Sequence, residues 1–207
     1  MSQFFQIHPE NPQARLIAQA AAIIRNGGII VYPTDSCYAM GCHIGDKSAA
    51  ERIRRIRRLP PDHDFSLMCR DLTEVGIYAK LNNPAFRLIK GLTPGPYTFI
   101  LSTTKEVPRR LLTPKRKTLG IRIANNQIVT DLLAALGEPL ISTTLHLPNE
   151  EYPMTDPYDI RDTLSSQVEL IIDGGYCGIE TTTVVDMVDD VPKVLRAGLG
   201  DTSVFEK

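Results

Sequence analysis

The chain has 207 residues, of which 43% are hydrophobic, and its net charge at pH 7 is -1. This length and composition are typical of one globular domain over residues 1–207 and exclude an intrinsically disordered chain. No stretch approaches about 18 uninterrupted apolar residues, and the first residues lack the pattern of a secretory leader. We therefore expect a cytoplasmic protein that does not enter a membrane.

The predicted elements begin with a helix and a strand. Asn11 and Pro12 are a typical helix start, and apolar residues then recur at helical spacing as far as Gly27 and Gly28. The apolar run over residues 29–32 predicts a buried strand that ends at Pro33, which cannot donate to a sheet. The chain then presents hydroxyl, carboxylate and glycine positions where a strand end can offer them to a ligand.

A second helix is predicted to begin after Asp46 and to end before Pro60. Further helices are predicted over 73–80, 84–90 and 127–136, and further strands over 65–69, 97–102, 119–123, 140–143, 170–172, 183–186 and 194–195. This alternation predicts an α/β fold. The sheet is expected to be mixed and open, because the last strands follow one another too closely for crossover helices. The proline-containing segment 145–158 indicates either a flap over a cleft or a disordered loop.

The cysteines are scattered at Cys37, Cys42, Cys69 and Cys177, without a CxxC pair. This spacing predicts reduced thiols rather than disulfides or a zinc ribbon. Cys42 and His43 are neighbours, but a buried position explains this cysteine better than metal binding. We therefore expect no metal site.

Positive charge is concentrated in two segments. Residues 52–58 contain five arginines and residues 105–122 contain seven further cations, whereas residues 131–190 contain 13 acids and one cation, Arg161. Either the first segment is only the solvated face of a helix, or the two segments together form a surface that binds polyanions. Because such surfaces are commonly assembled from separated basic segments, we favour the second interpretation.

Polar residues also accompany several predicted strand ends, at 34–36, 143–144, 181–183 and 196–198. Ligands of open α/β sheets bind in the crevice at strand ends, so these residues are expected to converge.

Seven short segments occur in a characteristic order: YPTDSCYAMG (32–41), TPGPYT (93–98), GIRI (120–123), GEPL (137–140), IDGG (172–175), TTVVD (182–186) and LRAG (195–198). Over about residues 15–200 the chain therefore resembles the YrdC/YciO family. The resemblance implies a single twisted α/β domain with a concave basic surface that binds nucleotides and double-stranded RNA. Enzymes of that family make threonylcarbamoyl-adenylate from ATP, threonine and bicarbonate for tRNA modification. ATP with Mg²⁺ is thus the implied ligand, and no tightly bound cofactor is expected.

The chain departs from the enzymes of this family at three motifs. Their Lys-x-Arg-Pro motif aligns with residues 57–60, so Arg57 replaces the lysine and Leu59 the arginine. Their Ser-x-Asn motif aligns with residues 144–146, where His146 replaces the amide. Ala197 replaces a proline. The pattern resembles the YciO branch of the family more than the synthase branch.

These observations and the resemblance give two sets of candidate residues, and no catalytic residue is assigned. Nucleotide or phosphate contacts are predicted for Thr34, Ser36, Arg57, Arg58, Arg122, Thr144, His146, Thr182 and Arg196. RNA contacts are predicted for Arg52, Arg54, Arg55, Arg58, Arg109, Arg110, Lys115, Arg116 and Lys117.

Three functions remain open from the sequence. The first is a protein that binds nucleotides and RNA but has lost efficient adenylate synthesis. The second is a working threonylcarbamoyl-adenylate synthase, and the third is an adenylate-forming enzyme with another substrate. We favour the first because of the altered motifs.

Overall fold

A computed structural model describes residues 2–60, 63, 65–108, 111, 117–189 and 191–205. Within these ranges there are six α-helices: α1 (Ala14–Arg25), α2 (Lys47–Arg57), α3 (Leu72–Tyr78), α4 (Asn83–Leu92), α5 (Gln127–Leu136) and α6 (Pro157–Leu164). Each of them is too short or too polar to cross a bilayer.

The described strands form one ten-stranded sheet in the order β1-β8-β2-β3-β7-β4-β6-β5-β9-β10. The strands are β1 (Gln3–Gln6), β2 (Ile30–Tyr32), β3 (Ala39–His43), β4 (Ser66–Met68), β5 (Tyr97–Ser102), β6 (Thr118–Arg122), β7 (Leu140–Thr144), β8 (Leu170–Asp173), β9 (Thr183–Asp186) and β10 (Lys193–Arg196). Strand β8 pairs in parallel with β1 and β2, whereas β7 pairs antiparallel with β3 and β4. The predicted α/β fold with a mixed open sheet is confirmed.

Helix ends follow local side-chain chemistry. Asp46 accepts a hydrogen bond of 2.9 Å from the Ala49 N–H and so caps α2, as predicted. Gly137 ends α5 in the left-handed conformation, with φ of 79°. The predicted start of α1 at Asn11 and Pro12 is too early, because the residue before the helix is Gln13, which makes no side-chain cap bond.

Three elements are absent from the sequence prediction. Strand β1 is short and pairs with β8, more than 160 residues away in the chain. Strand β3 contains Gly41, one of the positions after Pro33 that were expected to be presented to a ligand. Helix α6 begins at Pro157, inside the segment predicted to be a flap or a disordered loop. Local periodicity gives a weak signal for each, since all have eight residues or fewer.

The two faces of the sheet are covered differently. One face is packed along its length by a cluster that includes Met40, Phe99, Ile121 and Ile171, and we call it the core face. The opposite face is packed against α1 and α5 only over β1, β8, β2 and the adjoining strands. Apart from Leu140 of β7 and Met68 of β4, which belong to that second cluster, this face carries mostly small and polar side chains over β7, β4, β6, β5 and β9. The uncovered half of the sheet is where a ligand has access to the strands.

Candidate functional site

A cavity of about 270 Å³ lies on the uncovered half of the sheet. The strand register sets the small residues Gly41, Ser142, Ser66 and Gly120 side by side across four neighbouring strands, and the last three of them form the cavity floor. A side chain at Gly120 would meet Ser66 Oγ at 2.7 Å and Thr98 Cγ2 at 3.1 Å. The missing side chain at position 120 therefore creates part of the space.

Tyr32 closes one end of this row. Its hydroxyl lies 2.6 Å from Ser142 Oγ, and its ring would be 2.9 Å from any Cβ placed on Gly41. Burial raises the pKa of the Tyr32 phenol to about 12, so the phenol is neutral at physiological pH and can donate to Ser142.

Hydroxyl side chains supply most of the polar lining. The cavity is lined by the hydroxyl groups of Thr118, Ser66, Ser142, Thr144 and Thr181. Its apolar lining comes from Phe65, Ile100 and Val184. Thr98 also lines it, and its hydroxyl lies 2.8 Å from that of Thr182. Such a surface offers many neutral hydrogen-bond partners to a ligand, and none of the described residues that line it carries a carboxylate.

Arg57 enters the cavity from the end of α2. Its Nε donates to the carbonyl of His146 at 2.7 Å, and its Nη1 donates to Thr143 Oγ1 at 2.8 Å and to the carbonyl of Thr144. Burial lowers the pKa of Arg57 to about 10, so the side chain remains charged at neutral pH. Arg57 thus fastens α2 to the end of β7, and its Nη2 takes part in none of these bonds.

Arg196 reaches the same cavity from β10. Its Nη2 donates to the carbonyl of Thr182 at 2.9 Å, and partial burial lowers the pKa of its guanidinium. His146 also lines the cavity, where its Nε2 donates to the carbonyl of Glu150 at 2.8 Å. Because His63 also lines it, the cavity has two guanidinium groups and two imidazoles among its described residues.

A second polar cluster surrounds Arg122, which is 7% exposed. Its Nη2 donates to Thr34 Oγ1 at 3.0 Å, to Ser36 Oγ at 2.9 Å and to the carboxylate of Asp35. The other carboxylate oxygen of Asp35 accepts the Asn125 N–H at 2.9 Å. Arg122 therefore holds the turn after β2 in place.

The predicted nucleotide-binding residues thus fall into separate groups. Arg57, Thr144, His146 and Arg196 line the cavity. Thr182 adjoins it through its bonds to Arg196 and Thr98. Thr34, Ser36 and Arg122 form the buried cluster beside it, and Arg58 lines a different groove.

The predicted RNA-binding residues also differ in their surroundings. Arg52 forms an ion pair of 2.7 Å with Glu169, and Arg54 pairs with Glu51 and stacks on the Phe65 ring. Arg55, Arg58 and Lys117 are exposed. Arg109, Arg110, Lys115 and Arg116 lie outside the described residues.

The sequence prediction did not include Ser66, Thr98, Thr118 and Ser142 among the site residues. Ser66, Thr98 and Thr118 lie next to apolar or aromatic residues in their strands, which is the pattern of a sheet with one polar face, whereas Ser142 is followed by Thr143 and Thr144. This pattern is the sequence signal that could have identified the missed site residues. Within the described residues, no group of three or more His, Cys, Asp or Glu side chains is arranged to hold a metal ion.

Comparison with known proteins places these features in a family. The sequence model described as "Sua5_yciO_yrdC: Telomere recombination" matches residues 22–198. The YciO protein of Escherichia coli K12 is 60% identical over 205 residues, which cover 99% of this chain and all of the relative. The crystal structure of E. coli YciO matches 99% of this chain and 100% of that chain with a TM-score of 0.95.

More distant relatives carry an activity in their names. Threonylcarbamoyl-AMP synthase of Pyrococcus abyssi is 28% identical over 182 residues, which are 86% of this chain and 53% of the synthase. The crystal structure of P. abyssi Sua5 with L-threonine is 26% identical, has a TM-score of 0.87 and covers 95% of this chain and 58% of that chain. The chain spans little more than half the length of these two relatives.

Proposed function

The chain belongs to the Sua5/YciO/YrdC family, and from this membership we propose that it binds a nucleotide in the cavity and double-stranded RNA on its basic surface, without efficient adenylate synthesis. A link to tRNA modification is consistent with the activity that its synthase relatives are named for. The observation that carries the proposal is the convergence of Arg57 and Arg196 on one cavity lined by hydroxyl groups.

The chemistry of the cavity suits part of a nucleotide. Guanidinium groups and hydroxyl donors are the usual partners of phosphate and carboxylate oxygens. A volume of about 270 Å³ is slightly below the ~300 to 1,000 Å³ of most small-molecule pockets. We therefore expect the phosphates to lie in the cavity and the rest of the nucleotide to extend along the open sheet. Mg²⁺ would arrive on these phosphates, as it usually does, rather than in a cage of protein carboxylates.

The altered motifs support binding without efficient synthesis. Two nitrogens of Arg57 are already bonded, one to Thr143 in β7 and one to the carbonyl of His146, so this side chain is less free than a lysine to follow a reacting phosphate. Leu59 packs against the core and brings no charge. Losing one charge-assisted hydrogen bond to a reacting anion costs about 1.5 to 3 kcal/mol, which corresponds to roughly one to two decades in rate.

Nucleotide binding is tested by calorimetric titration of the wild type and Arg196→Gln with ATP. We expect measurable binding by the wild type and binding at least tenfold weaker by the variant, because one of the two guanidinium groups is lost. Equal affinity in both proteins would remove the cavity from the proposal.

RNA binding is tested with a short duplex RNA at about 50 mM and about 300 mM salt. We expect the affinity to fall steeply with salt, because contacts to phosphates release counterions. Undetectable binding at low salt, or binding that does not respond to salt, would contradict this part of the proposal.

The alternative is a working threonylcarbamoyl-AMP synthase that uses ATP, L-threonine and bicarbonate. The retained hydroxyl of Thr144 and the guanidinium of Arg196 at the cavity favour it. Pyrophosphate release that requires both threonine and bicarbonate would establish this alternative. Comparison with Leu59→Arg then measures how much the missing charge costs.

A further inference from the structure

A second, larger recess lies on the other side of the α2 C-terminus. It is an open groove of about 660 Å³ between α2, the segment 147–150 and the end of α6, and we call it the α2–α6 groove. Its apolar lining comes from Ile56, Leu147 and Leu164, and its polar lining includes Thr163 and Gln167.

Two of the arginines that line this groove are exposed to solvent. Arg55 and Arg58 are exposed, and within the described part of the chain neither side chain forms an ion pair or a hydrogen bond. Arg52 also lines the groove but is already paired with Glu169 and with the carbonyl of Gln167. The charge available to a ligand therefore comes from Arg55 and Arg58.

The backbone at Arg58 favours this arrangement. Arg58 ends α2 in the left-handed conformation, with φ of 49° and ψ of 42°, which is uncommon for a residue other than glycine. The chain turns there, so that Leu59 packs against the core while Arg58 stays at the groove. A cationic side chain is thus held next to Arg55, about one helical turn away.

We propose that the α2–α6 groove is a second anion-binding site, separate from the cavity, that takes consecutive phosphates of an RNA strand. The proposal rests on the RNA binding proposed above and assigns it a location. Two exposed cations about one turn apart match a ligand with repeated charges better than a single small anion. The groove is open along its side, so a chain can lie in it and continue beyond both ends.

The groove and the cavity share a wall but not their contacts. On the wall formed by the end of α2 and the segment 146–150, Arg57 and His146 line the cavity, whereas Arg58 and Glu150 line the groove. Substitutions in the groove therefore test RNA binding without removing a residue of the cavity.

Glu150 provides a test of the proposal that is specific to the groove. It lines the same groove as the arginines and is exposed, so its carboxylate repels phosphates that bind there. Glu151 is the next residue and is also exposed, but it does not line the groove. The two glutamates form a matched pair of sites at which the same charge is removed.

The experiment titrates a short duplex RNA into the wild type, Arg55→Gln/Arg58→Gln, Glu150→Gln and Glu151→Gln. Arg87→Gln, on the exposed side of α4, is the control for loss of a positive charge elsewhere. We expect the double variant to bind about tenfold more weakly at low salt and to lose about two from the slope of log affinity against log salt. We expect Glu150→Gln to bind about twofold to threefold more tightly, and both controls to bind like the wild type.

Three other results would overturn the proposal, and each of them contradicts a different part of it. RNA binding that is weakened equally by Arg87→Gln leaves the RNA function intact and removes the groove. Undetectable RNA binding by the wild type removes both RNA function and groove, while the ATP titration still decides the cavity. Tripolyphosphate that binds through Arg55 and Arg58 without displacing RNA assigns the groove to a free polyphosphate. Unchanged melting temperatures of these surface variants show that each protein is folded.

Discussion

The guanidinium of Arg122 forms a buried ion pair with the carboxylate of Asp35, which lies 87 residues earlier in the chain. Both side chains are largely inaccessible to solvent, with exposures of 8% and 10%. The pair joins β6 to the turn after β2, and it orders the hydroxyl groups of Thr34 and Ser36. This turn therefore depends on a charge buried inside the protein.

We expect Arg122→Met to lower the free energy of unfolding by about 3 to 5 kcal/mol, because the Asp35 carboxylate would remain buried without its partner. Urea denaturation measures the loss. Arg70→Met is the control, since Arg70 pairs with Asp71 at an exposed site and should change stability by about 1 kcal/mol or less. Similar losses in the two variants would show that burial does not increase the contribution of the Arg122–Asp35 pair to stability.

We expect Gly120→Ala to weaken ATP binding about tenfold or more while the protein stays folded. The added methyl group would enter the cavity floor and push on the Ser66 hydroxyl, whereas the core lies on the other face of the sheet. Calorimetric titration with ATP measures the effect. Gly76→Ala is the matched control: a Cβ on this glycine of α3 meets no atom within 4 Å, so binding should be unchanged and the helix stabilised by about 0.5 to 1 kcal/mol. Unchanged ATP affinity in Gly120→Ala would mean that the nucleotide binds elsewhere.

The raised pKa of the Tyr32 phenol predicts that the stability of the protein depends on pH. Its pKa is about 12 in the folded protein and 10.0 in the absence of burial, so between these values the unfolded chain loses a proton that the folded protein keeps. Stability is therefore complete below about pH 10 and falls by about 2 to 3 kcal/mol by pH 12. Denaturation of the wild type and Tyr32→Phe across this range isolates the contribution, and Tyr152→Phe, at an exposed position, is the control. Parallel pH curves for the wild type and Tyr32→Phe would contradict the assignment.

We expect Arg57→Lys to destabilise the protein by about 1.5 to 3 kcal/mol, although the change keeps the charge. A lysine ammonium cannot reproduce the planar fork that reaches Thr143 and the carbonyls of Thr144 and His146. Chemical denaturation measures the loss. Arg55→Lys, two residues earlier on an exposed side of α2, should stay within about 0.5 kcal/mol of the wild type. Equal stability of Arg57→Lys and the wild type would mean that these bonds contribute nothing to the fold.

The sequence predicted best those elements whose signals are local. Helix α5 and strands β5 and β9 have the predicted bounds, because caps, glycines and β-branched runs mark their ends. Strand β3 was not predicted, since its small residues gain their stability from β2 and β7, which lie on either side of it. Pairing with distant strands leaves little trace in the local pattern.

The candidate site was predicted in part for a related reason. Arg57, Thr144, His146 and Arg196 were found through family motifs, and the structure brings them to one cavity. The floor residues Ser66 and Gly120 were not found, because their role comes from strand register, which sets them beside each other across β4 and β6. Register is fixed by the whole sheet and is not visible in either strand alone.

In β6, residues that pack in the core alternate with residues that face the cavity, so folding and ligand binding depend on different side chains. Leu119 and Ile121 pack on one face and determine whether the chain folds, whereas Thr118 and Gly120 face the cavity and determine what fits there. Selection can therefore alter the preferred ligand at positions 118 and 120 while Leu119 and Ile121 keep the sheet stable. A fold arranged in this way can acquire new specificities at little thermodynamic cost.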